Sequence, residues 1–228
     1  QNRLRTVPFV NNHDTFRPQL SAQGNYTGWN TGSELSPHIE PNDGRSSAAH
    51  AIVVSLDGAP QLFFEDLFEI GYNSSRFSHQ PTDSLSLNTD SDVANLLWCH
   101  QNLHFKDGAY FVRWQAQDAL VIERGGKALI AVNDQYTAWQ NLTGVQTNFP
   151  AGTVLKDYSG ANGNASVIVN GSGQVNIAIP PCDGSAAAGR RGYSIWAPIG
   201  INTNYVRPSE SITQEWEMAD DLGDSSPA

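Results

Sequence analysis

The feature that most constrains this chain is a change of hydrophobic period near residue 105. Upstream, short apolar runs alternate with segments of helical spacing; downstream, only short β-prone runs remain. The upstream part opens with Thr6-Val7-Pro8-Phe9-Val10, closed by Asn11-Asn12. That is strand length, and its near-continuous apolarity predicts burial on both faces, as in a parallel sheet. A long polar loop follows, punctuated by Gly24, Gly28, Gly32, Pro37 and Pro41. Ser46 to Leu56 then carries Ala48, Ala49, Ile52, Val53 and Leu56 at helical spacing and stops at Gly58. Gln61-Leu62-Phe63-Phe64 is a second strand. A loop rich in Ser, Asn and Asp leads to a helix over Asp92 to His104, with Val93, Leu96, Leu97, His100 and Leu103 on one face and Asp90 or Ser91 as cap. Strand, loop and helix, taken twice, make two consecutive βα units of a parallel α/β architecture.

Downstream, seven short runs read as strands: Tyr110 to Trp114, Ala119 to Glu123, Ala128 to Val132, Thr153 to Lys156, Ser166 to Val169, Val175 to Ile179 and Tyr193 to Ala197. Gly125-Gly126 between two of them reads as a two-residue hairpin turn that needs positive φ. Short strands with frequent turns predict an antiparallel sandwich or barrel. The predicted organisation is therefore 1–107 as α/β, 108–200 as all-β, and 201–228 as an acidic tail or linker. From Glu210 onward that last part holds six acids and no base.

Composition narrows the function classes. With 39% hydrophobic and 10% aromatic residues, the chain is not wholly disordered. It has no run of about 18 apolar residues, so nothing in it is expected to span a membrane. The 13 basic against 23 acidic residues give a net charge of −10, which repels phosphate backbones and disfavours nucleic acid as a partner. An uncharged substrate tolerates that field. The chain begins at Gln1 rather than Met, so it is expected to be a piece of something longer. Cys99 and Cys182 have neither metal nor redox spacing and read as ordinary thiols, or as a pair if the fold brings them together. Five Asn-X-Ser/Thr sequons (Asn25, Asn73, Asn141, Asn164 and Asn170) and only three lysines suit a secreted, extracellular protein.

The segment richest in chemistry is Val7-Pro8-Phe9-Val10-Asn11-Asn12-His13-Asp14-Thr15. A His-Asp pair just after a buried parallel strand stands where α/β barrels keep their chemistry. On its own it is equally a metal-ligand pair or a satisfied loop pair. His38, His50, His79, His100 and His104 show no ligand spacing, so no metal site is expected within this chain.

Phe9, Val10, Asn12, His13 and Asp14, with Asn11 at the variable position, resemble the fourth conserved motif of the α-amylase family of glycoside hydrolases, Phe-Val-X-Asn-His-Asp. The succession behind it is similar too. Gly58-Ala59-Pro60-Gln61-Leu62-Phe63-Phe64-Glu65-Asp66 looks like the lead-in and strand of the last barrel unit. The stretches at Asp118 to Glu123, Ala128 to Asn133, Pro150 to Thr153 and Gly192 to Pro198 resemble those of the family's C-terminal domain. The resemblance covers roughly residues 3 to 200. It implies the C-terminal part of a (β/α)8 barrel, strands seven and eight with their helices, followed by an antiparallel Greek-key β-sandwich. Leu62 to Phe64 should then run parallel and adjacent to Val7 to Val10.

The resemblance also implies roles. Asp14 is the third catalytic carboxylate, gripping sugar hydroxyls at the reacting ring, and His13 hydrogen-bonds the same ring. Asn12 braces the loop or touches substrate. Apart from the resemblance, Trp29 and Tyr26 stand in the loop after the first strand as candidates to stack on a sugar or to pack the loop. Asp66, beside Glu65 after the second strand, is likewise a candidate by position to line a glucose subsite, or else a helix cap or ion-pair partner. The implied activity is retaining hydrolysis of α-glucosidic bonds in starch-like glucans, with the α-glucan and the upstream barrel half as partners. A retaining glycosidase also needs a nucleophile and an acid/base carboxylate about 5 Å apart. The family keeps these after strands four and five, and nothing here resembles those motifs. This chain alone is therefore expected to be inactive. Any calcium belongs to the full-length parent, with no cofactor within this chain. The alternative is a non-catalytic amylase-like carbohydrate-binding or structural protein.

Overall fold

The computed structural model describes residues 5–12, 18–23, 26–29, 39, 43–63, 66, 86–88, 90–186, 191–200 and 213–215. In chain order, β1 (Pro18–Leu20) and β2 (Tyr26–Trp29) pair antiparallel, with Pro18 opposite Trp29. Helix α1 (Arg45–Ser55) follows, then β3 (Ser86–Asn88), helix α2 (Ser91–Asn102) and a 3-10 turn at Phe105–Asp107. The β-rich part comprises β4 (Tyr110–Gln115), β5 (Ala119–Arg124), β6 (Ala128–Asn133), β7 (Gln140–Gln146), β8 (Val154–Asp157), β9 (Ser166–Ile168), β10 (Gln174–Ile179) and β11 (Tyr193–Pro198). A last strand, β12 (Thr213–Glu215), pairs antiparallel with β3. The described part is thus mostly antiparallel sheet with few helices.

All seven runs read as strands downstream of residue 107 are strands. They build a six-stranded antiparallel sheet in the order β4-β5-β6-β11-β8-β9, while β10 pairs with β7 in a separate two-stranded sheet. Strand β7 was missed because its sequence, Gln-Asn-Leu-Thr-Gly-Val-Gln, buries only Leu142 and Val145 fully. A register irregularity opposite Val175–Ile177 also breaks its alternation. The Gly125-Gly126 turn is a three-residue connection, because Arg124 is opposite Ala128; Gly126 alone of the two has positive φ, at +67°. The acidic segment read as tail or linker contributes β12, a polar three-residue strand that no hydrophobic pattern announces.

The side chains of β5, β6 and β11 alternate between two cores. Ala119, Val121, Leu129, Ala131 and Trp196 pack with Leu142, Val145, Leu155, Val175, Ile177 and Ile179 on the side of β7 and β10. Ile130, Val132, Tyr193, Ile195 and Ala197 pack the other way, against Ala48, Ala51 and Val54 of α1 and Leu96 and Cys99 of α2. The sheet therefore has helices on one face and the two-stranded sheet on the other. This explains why every residue of β6 is buried. Each large side chain fully buried there contributes about 1.5–3 kcal/mol.

Buried polar ties fix the helices to the sheet. Asp90 caps α2 by accepting from the Asp92 and Val93 amides, at 2.9 and 3.0 Å. Tyr193 Oη donates to Asp92 Oδ1 at 3.0 Å, and Arg191 reaches Asp90 at 2.8 Å and Asp92 at 3.2 Å. Asn95 Nδ2 donates to the Tyr158 carbonyl and to Tyr193 Oη, both at 3.2 Å. At the start of α1, Tyr136 Oη donates to Asp43 at 2.7 Å, and hydrogen bonding from Arg45 holds the Asp43 carboxyl down at about 2. Both cysteines are buried, and no disulfide joins them. Cys182 donates to the Asn133 carbonyl at 2.8 Å, and burial pushes its thiol up to about 12, so it stays protonated and inert.

Candidate functional site

The site is built from two extended segments, 5–12 and 57–63. Thr6 O accepts from the Ala59 amide at 3.0 Å, and Pro8 O accepts from the Gln61 amide at 2.9 Å. Both partners advance by two residues in the same direction, so the segments run side by side and parallel. Pro8 has no N–H to return a bond, which keeps the ladder one-sided and short. Gly58 makes the approach feasible. Its φ is +111°, and a Cβ there would stand 2.3 Å from Thr6 O. These two hydrogen bonds set 6–8 beside 59–61; neither of the runs expected as strands is a strand among the described residues, and Phe64 lies outside them. The expected burial on both faces is not found: Val7 is 54% and Phe9 42% exposed. Within the described residues, the neighbours of this segment cover it only in part.

At the carboxyl end of the first segment, Asn11 is fully buried. Its Nδ2 donates to the Ile39 carbonyl at 2.8 Å and to Asp66 Oδ1 at 3.0 Å, and its Oδ1 accepts from the Ile39 amide at 3.3 Å. Asp66 is 3% exposed, and its Oδ2 lies 3.4 Å from His50 Nε2. His50, on α1, is buried in turn and donates from Nδ1 to the Ser46 carbonyl at 2.8 Å. One connected group of side chains thus joins the end of the first segment, the loop at residue 39, the stretch after the second segment, and α1.

The residues singled out from sequence fall differently. Asn12 is half-buried beside Asn11. His13 and Asp14, which carry the family motif, lie outside the described residues, as does Glu65. Trp29 closes β2 opposite Pro18. Asp66 is turned into the protein against Asn11 and His50. Asn11 itself was missed: standing at the motif's variable position and ending an apolar run, it reads as a turn residue, and nothing local announces its three hydrogen bonds. A cavity of about 310 Å³ between α1 and the sheet is lined by Ala48, Ile52, Leu120 and Val132, among others, and by none of the expected site residues. Among the described residues, no group of three or more His, Cys, Asp or Glu side chains could hold a metal ion. No described helix is long and apolar enough to cross a membrane.

Comparison with known proteins agrees with this architecture. The family model for the alpha-amylase C-terminal domain matches residues 129–197, from β6 to β11. A curated alpha-amylase of Niallia circulans is 23% identical over 189 residues. The match takes in 79% of this chain and 32% of the relative, so the chain spans about a third of that protein's length. Among solved structures, the gamma-CGTase of alkalophilic Bacillus clarkii superposes at a TM-score of 0.54 with 21% identity, over 83% of this chain and 25% of the other. The alpha-amylase of Geobacillus thermoleovorans, solved in complex with acarbose, gives 0.52 with 12% identity, over 85% and 38%. At such identities the structural likeness speaks for the fold alone. Residues 129–197 thus match the alpha-amylase C-terminal domain, and the chain as a whole is similar to part of alpha-amylase family proteins, consistent with their C-terminal portion.

Proposed function

We propose that this chain is part of an α-amylase-like retaining glycoside hydrolase acting on α-glucosidic bonds of starch-like polysaccharides or oligosaccharides. In this reading residues 1–107 complete the enzyme's (β/α)8 barrel, and residues 108–200 are its C-terminal domain. The observation that carries it is the parallel run of 6–8 beside 59–61, which leads directly into Asn12-His13-Asp14. Chemistry at the carboxyl ends of neighbouring parallel segments is the habit of such barrels. Asp14 supplies the carboxylate that binds hydroxyls of the reacting sugar, and His13 binds the same ring. Hydrogen bonds of this kind strengthen as the ring flattens toward the oxocarbenium-like transition state, and so they lower the barrier. Asn12 and Trp29 contribute adjoining contacts. The nucleophile and the general acid come from the upstream barrel half, which also covers Val7 and Phe9. The neighbour solved with acarbose supports a substrate of this class. Exposed sequon asparagines at Asn141, Asn164 and Asn170 support an extracellular location.

The test is an assay on maltooligosaccharides of this chain alone, of the chain mixed with the upstream half, and of the full-length protein. The chain alone should give no turnover. The full-length protein should be active, and Asp14→Asn should cost it about 10²-fold or more in kcat. Turnover by the chain alone, lost on Asp14→Asn, would show that the catalytic carboxylates are misassigned. A full-length protein that binds glucan without turning it over would favour the non-catalytic reading.

A further inference from the structure

We propose that Asn11 and Asp66 are positioning residues that set the place of His13 and Asp14, an inference that rests on the function proposed above. Asn11 stands three residues before Asp14, and three residues of chain reach at most about 10 Å. Whatever fixes the backbone at residue 11 therefore restricts where the Asp14 carboxylate can go. The Asn11 carboxamide is fixed unusually completely. Both amide hydrogens are used, on Ile39 O and Asp66 Oδ1, and the oxygen accepts from the Ile39 amide. Turning the carboxamide over would set its oxygen against two acceptors and its NH2 against a donor, so only one orientation is satisfied.

On its other side, Asp66 lies beside His50. Its Oδ2 faces His50 Nε2 at 3.4 Å, and His50 is anchored through Nδ1 to Ser46 O within α1. That helix is packed into the core shared with the sheet. The geometry therefore runs from the helix–sheet core, through short side chains, to the end of the extended segment that precedes His13 and Asp14. Positioning of this sort matters because a displacement of about 1 Å at a reacting centre can cost about 10²-fold in rate. It also gives Asp66 a part distinct from contact with sugar: its carboxylate is engaged within the protein and acts through Asn11.

The experiment measures kcat and KM of the full-length protein on maltoheptaose for Asn11→Ala, Asp66→Asn, Asp14→Asn and the Asn11→Ala/Asp14→Asn double variant. Melting curves establish that each is folded. Positioning requires Asn11→Ala and Asp66→Asn each to lower kcat by about tenfold or more while KM moves less than about threefold. It also requires that Asn11→Ala cost less than about twofold once Asp14 is already Asn, because the group it positions is gone. Asp66→Asn preserves side-chain shape and provides the reading should Asn11→Ala fail to fold. A rise in KM at constant kcat for Asp66→Asn would make Asp66 a substrate contact and overturn the inference. So would a loss from Asn11→Ala that is the same in both Asp14 backgrounds. Full turnover by Asp14→Asn would instead bring down the functional reading itself, and the inference with it.

Discussion

Arg124 shows how much a single residue can hold in this molecule. It is 2% exposed, and its guanidinium donates from Nε to the Phe105 carbonyl at 2.7 Å and from Nη1 to the Ser55 carbonyl at 3.2 Å and Asp57 Oδ1 at 2.8 Å. It therefore pins the end of α1 and the 3-10 turn to the end of β5. Truncating it would leave a partly buried carboxylate and two carbonyls without these donors. Arg124→Ala should destabilise the chain by about 3–5 kcal/mol, read as a lower urea midpoint at unchanged slope. Arg124→Lys keeps the charge but not the fork and should recover only part of the loss. A midpoint unchanged in Arg124→Ala would mean that water replaces the clamp. None of this was legible in sequence, where Arg124 is a charged residue ending a β-prone run and Asp57 lies 67 positions away. The cap of α2 was legible as Asp90 or Ser91, because a cap satisfies amides only two and three residues ahead of it, and the structure selects Asp90.

At the scale of elements, the run Ala128 to Asn133 is the telling one. It is apolar almost throughout, and the structure accounts for this by covering both faces of β6. Leu129 and Ala131 face the β7–β10 layer, while Ile130 and Val132 face α1 and α2. One hydrophobic core runs across the division at 107/108 suggested by the change of period, joining α1 and α2 to β6 and β11. A fragment of residues 108–200 would expose the face formed by Ile130, Val132, Tyr193 and Ile195. Such a patch promotes association. The fragment should bind a hydrophobic dye, elute as oligomers and melt below the whole chain. A monomeric, dye-silent fragment with the whole chain's melting temperature would show that the sandwich needs no helical cover.

For the whole molecule, the exposed pair Val7 and Phe9 sits on a segment hydrogen-bonded to 59–61 on one side. If the upstream barrel half normally packs there, the isolated chain carries an apolar face that water does not favour. At about 25 cal/mol per Å² of apolar surface, two such side chains are worth a few kcal/mol to any surface that covers them. The isolated chain should self-associate despite its charge of −10. A Val7→Ser/Phe9→Ser variant should shift it toward monomer in light scattering. Identical distributions for the two proteins would place the association surface elsewhere.

What the amino-acid order determined by itself is local. The two helices with a cap at Asp90 or Ser91, seven strands of the β-rich part, the glycine at the 125–127 turn and the two extended segments all follow from periods and turn residues acting over a few positions. The tertiary structure alone decided the fate of the polar residues. Asn11, Asp66, Asp92, Asn95 and Arg124 resemble ordinary loop or surface residues in sequence, yet each is buried against partners brought in from elsewhere, such as Ile39 28 residues from Asn11 and Tyr193 101 residues from Asp92. The physical reason is that apolar burial is non-directional and leaves a periodic trace along the chain, whereas a buried polar group is stable only when a complementary donor or acceptor arrives at about 3 Å. That arrival depends on where the rest of the chain has folded, and no local pattern encodes it.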